Sequence, residues 1–146
     1  MLISTQTGHA VGRLGFEQGV LTLKNAGYDC LDLSLFEMIR DDSPYIAGDW
    51  RALVKERKAF CDANGIVFNQ AHAPYAMKMD AYLEGGEGRE HILFLLRRAI
   101  KIAGWLGVKN IVVHPIQHAN YLNHDPRYFL RINKEFYGQL IPVAKE

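Results

Sequence analysis

The sequence alternates between short hydrophobic runs and longer stretches in which hydrophobic residues recur every three or four positions. The short runs predict four strands, over residues 2–7, 28–35, 66–72 and 110–114. The longer stretches predict four helices: one over residues 16–25, one that follows Asp49, one that spans hydrophobic positions 92–106, and one that opens at Asp125. Strands that alternate with helices in this way are typical of a parallel sheet covered by helices.

The links between these elements differ in length. Links from a helix to the next strand are short, at residues 26–27, 64–65 and 107–109, whereas links from a strand to the next helix are long, at residues 36–48, 73–87 and 115–124. A β/α barrel carries its chemistry on the loops that follow its strands. The asymmetry therefore predicts an active-site face, with an open doubly wound sheet as the main alternative fold.

Polar residues inside the strands favour the barrel. Strict alternation places three sets of residues on one face of the sheet: Cys30, Asp32 and Ser34; Ile66, Phe68, Gln70 and His72; and Asn110, Val112 and His114. Strands covered on both faces should be almost entirely hydrophobic, but this face becomes polar toward the strand ends. A complete eightfold barrel needs about 250 residues. The predicted fold class is therefore α/β, a single domain over residues 1–146 that forms a (βα)4 half of a TIM barrel, with parallel strands inside and helices outside.

Composition narrows the class of protein. The 49% of hydrophobic residues can supply a core, while a formal net charge of +1 argues against nucleic-acid and membrane-surface partners. Cys30 and Cys61 form no CxxC pair and are read as buried thiols in a reducing compartment. No hydrophobic run approaches the ~20 residues of a membrane span, and the first residues lack the features of a signal peptide. A cytoplasmic protein is expected.

His72 and His114 are the leading candidates for chemistry. Each ends a predicted strand, and each is followed by a turn, so parallel pairing would place them side by side. Imidazoles in that position can bind a divalent metal, hold a sugar hydroxyl or move a proton. The alternative is a pair of structural histidines that hydrogen-bond to backbone carbonyls.

Three further residues are candidates for substrate binding. Asp32 would face inward and orient a ligand or a histidine; a buried carboxylate bonded to its neighbours is the alternative. Gln6 ends the first strand, and Tyr75 would supply an aromatic wall for a sugar, as would Tyr45 and Trp50, although ordinary packing also explains such rings.

The remaining polar loops carry weaker signals. His9 is expected to be an exposed loop residue. The link after the fourth strand holds Gln117, His118, Asn120 and His124, but a His114–His118 metal pair needs a helix, which Pro115 disfavours. Glycines at residues 85, 86 and 88 suggest a phosphate cradle or a flexible active-site loop, and nearby acidic residues favour the loop.

The ordered set of motifs resembles a known family. The stretches that carry the resemblance are ISTQTG at residues 3–8, AGYDCLDL at 26–33, GI at 65–66 leading to HAPY at 72–75, AGWLGVKNIVVHP at 103–115 and LIPVAKE at 140–146. Together they are similar to the N-terminal half of the xylose isomerase-like TIM barrels, the sugar phosphate isomerase/epimerase group, which also includes endonuclease IV-type enzymes. The resemblance covers nearly the whole chain.

The resemblance implies an enzyme that uses a divalent metal (Mn, Mg, Co or Zn) to move a proton next to the carbonyl of a sugar or sugar phosphate. His72 and His114 match the histidines of the third and fourth strands, which bind metal in endonuclease-type members and contact substrate in epimerase-like members. Many members take their metal ligands and acid/base carboxylates from strands five to eight. This chain alone is therefore expected to be inactive, without a cofactor of its own.

Two alternatives stay open at this point. The first is a metal-dependent phosphodiesterase of the endonuclease IV type, which would need a basic groove. The second is a non-catalytic half-barrel that self-assembles, because its outer strands would expose unpaired edges. Either a catalytic or a non-catalytic half-barrel is expected to form a homo-oligomer through those edges.

Overall fold

The computed structural model describes residues 1–75, 80–116 and 125–146, and within them four strands form one sheet. The strands are β1 (Ser4–Gln6), β2 (Cys30–Ser34), β3 (Phe68–His72) and β4 (Ile111–Val112). Each strand lies inside the run of residues that predicted it and is shorter than that run. All three neighbouring pairs are parallel.

The described part of the chain contains seven α-helices. They are α1 (Gly8–Leu14), α2 (Phe16–Asn25), α3 (Trp50–Ala63), α4 (Asp80–Glu84), α5 (Gly86–Trp105), α6 (Pro126–Gly138) and α7 (Ile141–Ala144). A short 3-10 helix, Phe36–Ile39, follows β2. None of these helices is long and hydrophobic enough to cross a membrane.

Local chemistry explains where the predicted helices begin and end. The Asp49 carboxylate accepts hydrogen bonds from the backbone N–H groups of Arg51 and Ala52, both at 3.1 Å, and thereby caps α3. Asp125 caps α6 through the N–H of Arg127 at 2.9 Å. Just after α2, the chain turns at Gly27 with a φ of 96°, which a residue with a side chain rarely adopts.

Two short helices were not predicted, and one segment that was predicted to be a loop is helical. α1 follows directly after β1, and α4 occupies part of the link after β3. The glycine-rich segment, expected to be a flexible loop, instead contributes Gly86, Glu87 and Gly88 to the first turn of α5. That part of the prediction was wrong because glycine disfavours a helix interior but is tolerated in its first turn.

The strand order decides between the two candidate folds. The order is β1-β2-β3-β4, so each strand pairs with the next one along the chain. Right-handed crossovers between strands in this order place every connecting helix on the same face of the sheet. A doubly wound sheet reverses direction at a switch point, and the described strands contain no such reversal. The predicted (βα)4 arrangement with helices on the outside is confirmed.

The hydrophobic core lies between the helix-covered face of the sheet and the helices. Leu31 and Leu33 on β2 are each 1% exposed, and Val54 on α3 and Ile102 on α5 are fully buried. Burying one such side chain contributes about 1.5–3 kcal/mol to folding. The leucines of β2 thus face the core, as predicted, and leave Asp32 on the opposite face.

A bulge in β3 corrects the predicted alternation on that strand. Leu31 pairs with Phe68, but Asp32 pairs with Gln70, so Asn69 is an extra residue in the ladder. Phe68 therefore lies on the helix-covered face with Leu31, and not with Gln70 and His72 as strict alternation predicted. Both Ile66 and Phe68 are 7% exposed and belong to the core. The bulge allows β3 to bury Phe68 and still present two polar residues at its carboxyl end.

Candidate active site at the strand ends

A hydrogen-bonded pair joins β2 to β3 at the polar face of the sheet. Nδ1 of His72 lies 2.9 Å from the Asp32 carboxylate. The same carboxylate accepts a second hydrogen bond from Nε2 of Gln70 at 2.7 Å. Asp32 is 7% exposed, so its charge is shielded from water and satisfied by these two neighbours. A carboxylate accepts hydrogen bonds and does not donate them; Nδ1 of His72 therefore carries the proton, and Nε2 is left for a ligand.

Backbone and hydroxyl contacts fix the position of Asp32. The backbone N–H of Thr7 donates to the carbonyl of Asp32 at 2.9 Å. The hydroxyl of Thr7 accepts a hydrogen bond from the N–H of Ser34, also at 2.9 Å. Thr7 is 1% exposed, so the end of β1 is tied to β2 on both sides of Leu33. These contacts keep the strand ends rigid where the polar side chains converge.

A row of four rings extends from this pair toward the end of β2. The ring centroids of His72 and His114 are 6.1 Å apart, and those of His114 and Tyr75 are 4.8 Å apart. Tyr75 in turn lies 5.2 Å from the ring of Phe36. The predicted neighbourhood of His72 and His114 is thus present in the structure, with Tyr75 beside it. His114 is exposed, whereas His72 is half-buried.

Beside the ring row lies a cavity of about 410 Å³. The residues that matter for its chemistry are Gln6, Ser34, Phe36, Glu37, Arg40 and Tyr75. They follow or end β1, β2 and β3, which is where a β/α barrel holds its substrate. A slightly larger cavity of about 430 Å³ is lined only by α1 to α3 and the link between the first two of them. The cavity at the strand ends is distinguished by its position, because polar groups and the exposed rings of Phe36 and Tyr75 meet there at the carboxyl ends of the strands.

The described residues do not form a metal site by themselves. Among them, no group of three or more His, Cys, Asp or Glu side chains is arranged to hold a metal ion. Protein metal sites usually take three or four ligands from the chain, and this region offers the two imidazoles of His72 and His114. A divalent metal, whether Mn, Mg, Co or Zn, therefore stays a prediction that requires ligands from elsewhere.

The other residues that were candidates from the sequence lie in different parts of the structure. Tyr45 and Trp50 are 1% and 6% exposed, so they are core residues, in agreement with the ordinary packing weighed against a sugar-facing wall. His9 is exposed as expected but belongs to α1 and not to a loop. Four polar residues of the link after β4 lie outside the described residues: Gln117, His118, Asn120 and His124.

Two contributors were not identified from sequence. Gln70 was placed on the correct face, but nothing in its spacing signalled that it would bind Asp32. Phe36 follows β2 directly and looked like an ordinary link residue, yet it is 38% exposed and lines the cavity. A hydrophobic ring immediately after a strand that carries an inward carboxylate is the signal that could have indicated it.

Comparison with solved structures identifies the fold. With a TM-score of 0.64 and 17% identity, the chain matches a 3-keto-D-glucoside 4-epimerase from E. coli, covering 99% of this chain and 52% of that one. It matches a xylose isomerase domain protein from Planctomyces limnophilus with a TM-score of 0.61 and 15% identity, over 97% of this chain and 51% of that one. A sugar phosphate isomerase/epimerase from Parabacteroides distasonis gives a TM-score of 0.58 and 19% identity, over 99% of this chain and 47% of that one.

These matches define the class of protein by its fold. The chain has the xylose isomerase-like β/α fold and spans about half the length of the structures it matches. The resemblance noted from sequence motifs is confirmed at this level. No family model matches the sequence, and no curated protein matches it either.

Proposed function

We propose that this chain supplies one half of the active site of a sugar isomerase or epimerase, in which its strand ends bind the sugar. The observation that carries the proposal is the Asp32–His72 pair, held at 2.9 Å. Its two members pair in register with Gln6 and Ser34, which line the cavity at the strand ends. The structures with the same fold include two that are described as a sugar epimerase and a sugar phosphate isomerase/epimerase. Their described activities support the choice of substrate class.

Under this proposal His72 orients the sugar. Its Nδ1 donates to Asp32, so Nε2 can accept a hydrogen bond from a sugar hydroxyl. Gln6 pairs in register with Asp32 across β1 and β2 and lines the cavity; its amide can both donate to and accept from a hydroxyl. Tyr75 lines the same cavity, and the ring of His114 lies 4.8 Å from that of Tyr75. Isomerases and epimerases move a proton next to a carbonyl, and the group that removes this proton would come from outside the described residues.

The proposal also includes metal binding and self-association of the protein. We propose that the complete site contains a divalent metal and that His72 and His114 border it as ligands or substrate contacts. We also propose that the 146-residue protein associates with further copies through its open strand edges. In the β1 and β4 edge strands, alternate backbone groups point away from the sheet and have no strand partner in the described residues.

Titration of the protein with sugars, followed by NMR, tests the proposal. We expect shifts of the signals of His72 and His114, and a loss of sugar affinity of about tenfold in His72→Ala, equivalent to about 1.4 kcal/mol. His91→Ala is the matched control, because His91 is an exposed histidine on α5. Equal losses in the two variants, or no response to any sugar, would contradict the proposal. Binding of a short DNA duplex instead of sugars would favour the phosphodiesterase alternative.

A further inference from the structure

We infer that the cavity at the strand ends selects a neutral sugar over its phosphate ester. This inference rests on the proposed function and names the substrate class of the same site. Its basis is the combination of exposed rings with a lining arginine, Arg40, that is already hydrogen-bonded to a carboxylate, around one cavity of about 410 Å³. The sugar phosphate group of enzymes shares the fold, so the fold itself leaves this choice open.

The rings give the cavity a hydrophobic wall. Phe36 and Tyr75 are 38% and 46% exposed, and their centroids lie 5.2 Å apart with the ring planes tilted by 44°. Keeping hydrophobic rings in water is unfavourable unless a ligand covers them. The C–H face of a sugar ring can cover such a wall while its hydroxyl groups remain free to hydrogen-bond to Gln6 and Ser34, which line the same cavity.

The arginine that lines the cavity is already paired. Arg40 donates two hydrogen bonds to Asp42, from Nε at 2.9 Å and from Nη2 at 2.7 Å. Arg57 lines the separate cavity between α1, α2 and α3, where its buried Nη1 lies 3.8 Å from the carboxylate of Glu37 and has no hydrogen-bond partner among the described residues. In the part of the chain that the structure describes, the cavity at the strand ends therefore presents the Glu37 carboxylate and no uncompensated Arg or Lys. A phosphate ester would enter with a negative charge and find no unpaired Arg or Lys among the residues that line this cavity.

The start of α1 offers little compensation. Gly8 and His9 line the cavity at that helix end, but α1 has only seven residues. The Cβ of any other residue at position 8 would lie 3.2 Å from Oγ of Ser34, so the backbone of α1 packs closely against β2. The contact accounts for the glycine without requiring an anion there.

A matched pair of probes tests the inference. D-Glucose and D-glucose 6-phosphate are both pyranoses in water and differ in the phosphate group, and inorganic phosphate serves as the control for anion binding. NMR titration of the 146-residue protein should give tighter binding for D-glucose, with the largest shifts at Phe36 and Tyr75. Phe36→Ala should weaken D-glucose binding about threefold to tenfold, while Phe94→Ala, which removes a similarly exposed ring on α5 (42% exposed), should not.

A charge variant separates the substrate class from the proposed function. Asp42→Asn releases Arg40 and should strengthen binding of D-glucose 6-phosphate severalfold without changing D-glucose binding. Asp41→Asn removes the same charge one position away, where Arg40 does not bond, and should change neither. Binding of the phosphate ester by the unmodified protein as tight as, or tighter than, binding of D-glucose overturns the inference but leaves the proposed function intact. If neither sugar nor its phosphate binds, both are refuted.

Discussion

Gln70 and Asp32 form a hydrogen bond of 2.7 Å between β3 and β2, and this bond leaves the other side of the carboxylate to His72. Replacing Gln70 by Leu should remove one of the two partners of a buried carboxylate, which costs about 1–3 kcal/mol of folding free energy. Asp32 would then be less firmly placed beside His72. We expect sugar binding to weaken severalfold, although Gln70 would not itself touch the sugar.

The imidazole nitrogens of His72 report on this positioning role. In the unmodified protein, ¹⁵N NMR should show the proton on Nδ1. In Gln70→Leu we expect a mixture of the two tautomers, because the carboxylate can move away from Nδ1. A variant that is merely less stable, with the tautomer and the sugar affinity unchanged, would show that Gln70 has only a structural role.

The contact between α1 and α2 predicts opposite effects for two glycines. A Cβ on Gly19 would lie 2.8 Å from both the Cα and the N of Val11, which are backbone atoms that cannot rotate away. Gly19→Ala should therefore destabilise the protein by about 1–3 kcal/mol. Gly104 is also helical, but a Cβ there meets nothing within 4 Å, so Gly104→Ala should stabilise α5 by about 0.5–1 kcal/mol.

Urea denaturation of both glycine variants, followed by circular dichroism, measures these changes. The two substitutions add the same methyl group to a helix, so intrinsic helix propensity is matched and the difference reports on packing alone. A Gly19→Ala variant as stable as the parent would mean that α1 shifts away from α2 without cost.

Large parts of the fold were predictable from the pattern of residues, while the missed parts have specific physical causes. The boundaries of α2 follow from a hydrophobic face that stops at a glycine, and Asp49 and Asp125 cap the two helices that were predicted to begin at these residues. α1 was missed because its seven residues contain two glycines and include no buried residue, so it carries no helical hydrophobic stripe.

The position of the candidate site was predictable from the sequence, but the bulge in β3 and the hydrogen bond to Gln70 were not. The alternation of side chains along a strand placed Asp32 and His72 on one face, because this alternation is regular in β2 and at the end of β3. The bulge at Asn69 breaks the alternation nearer the start of β3. It was not predicted, because an inserted residue leaves no mark in the pattern of hydrophobic positions. The bond to Gln70 depends on the register between strands, which is set in three dimensions and not by spacing along the chain.

Burial of Tyr45 predicts a loss of stability in alkali. Its side chain is 1% exposed, and this burial raises the pKa of the phenol from 10.0 to about 12. The unfolded chain therefore loses this proton at lower pH than the folded chain. The contribution of Tyr45 to the free energy of unfolding is constant below pH 10 and is lost as the pH rises from 10 to about 12. A pKa difference of two units between the folded and the unfolded chain corresponds to about 3 kcal/mol of stability.

Urea midpoints measured at a series of alkaline pH values check this expectation. Tyr45→Phe should reduce the fall in stability above pH 10. A second decline, which begins about one pH unit lower, should remain in that variant, because burial also raises the pKa of the Cys61 thiol from 9.0 to about 11. Identical pH profiles for the parent and Tyr45→Phe would contradict the assignment of the fall to this phenol.

The open edge of β1 predicts self-association of the protein. Leu2 and Ile3 precede this edge strand and are 75% and 58% exposed, so pairing of edges would also bury hydrophobic surface. Sedimentation velocity at micromolar concentration should show a dimer or a larger oligomer. Leu2→Lys should shift the distribution toward monomer by placing a charge beside the edge.

Leu130→Lys is the control for this experiment, because Leu130 is 72% exposed but lies on α6. Comparable dissociation by the two variants would indicate general hydrophobic adhesion and not pairing of the β1 edge. A parent protein that sediments only as a monomer would contradict the expected assembly outright.

The strand order also governs how the chain can fold as it is synthesised. Because β1 pairs with β2, β2 with β3 and β3 with β4, strands that pair in the sheet are also synthesised one after the other. Each strand and its helix can dock on the part already made, and closing each successive loop costs a similar amount of chain entropy. The sheet can therefore grow in one direction from its amino end, one βα unit at a time.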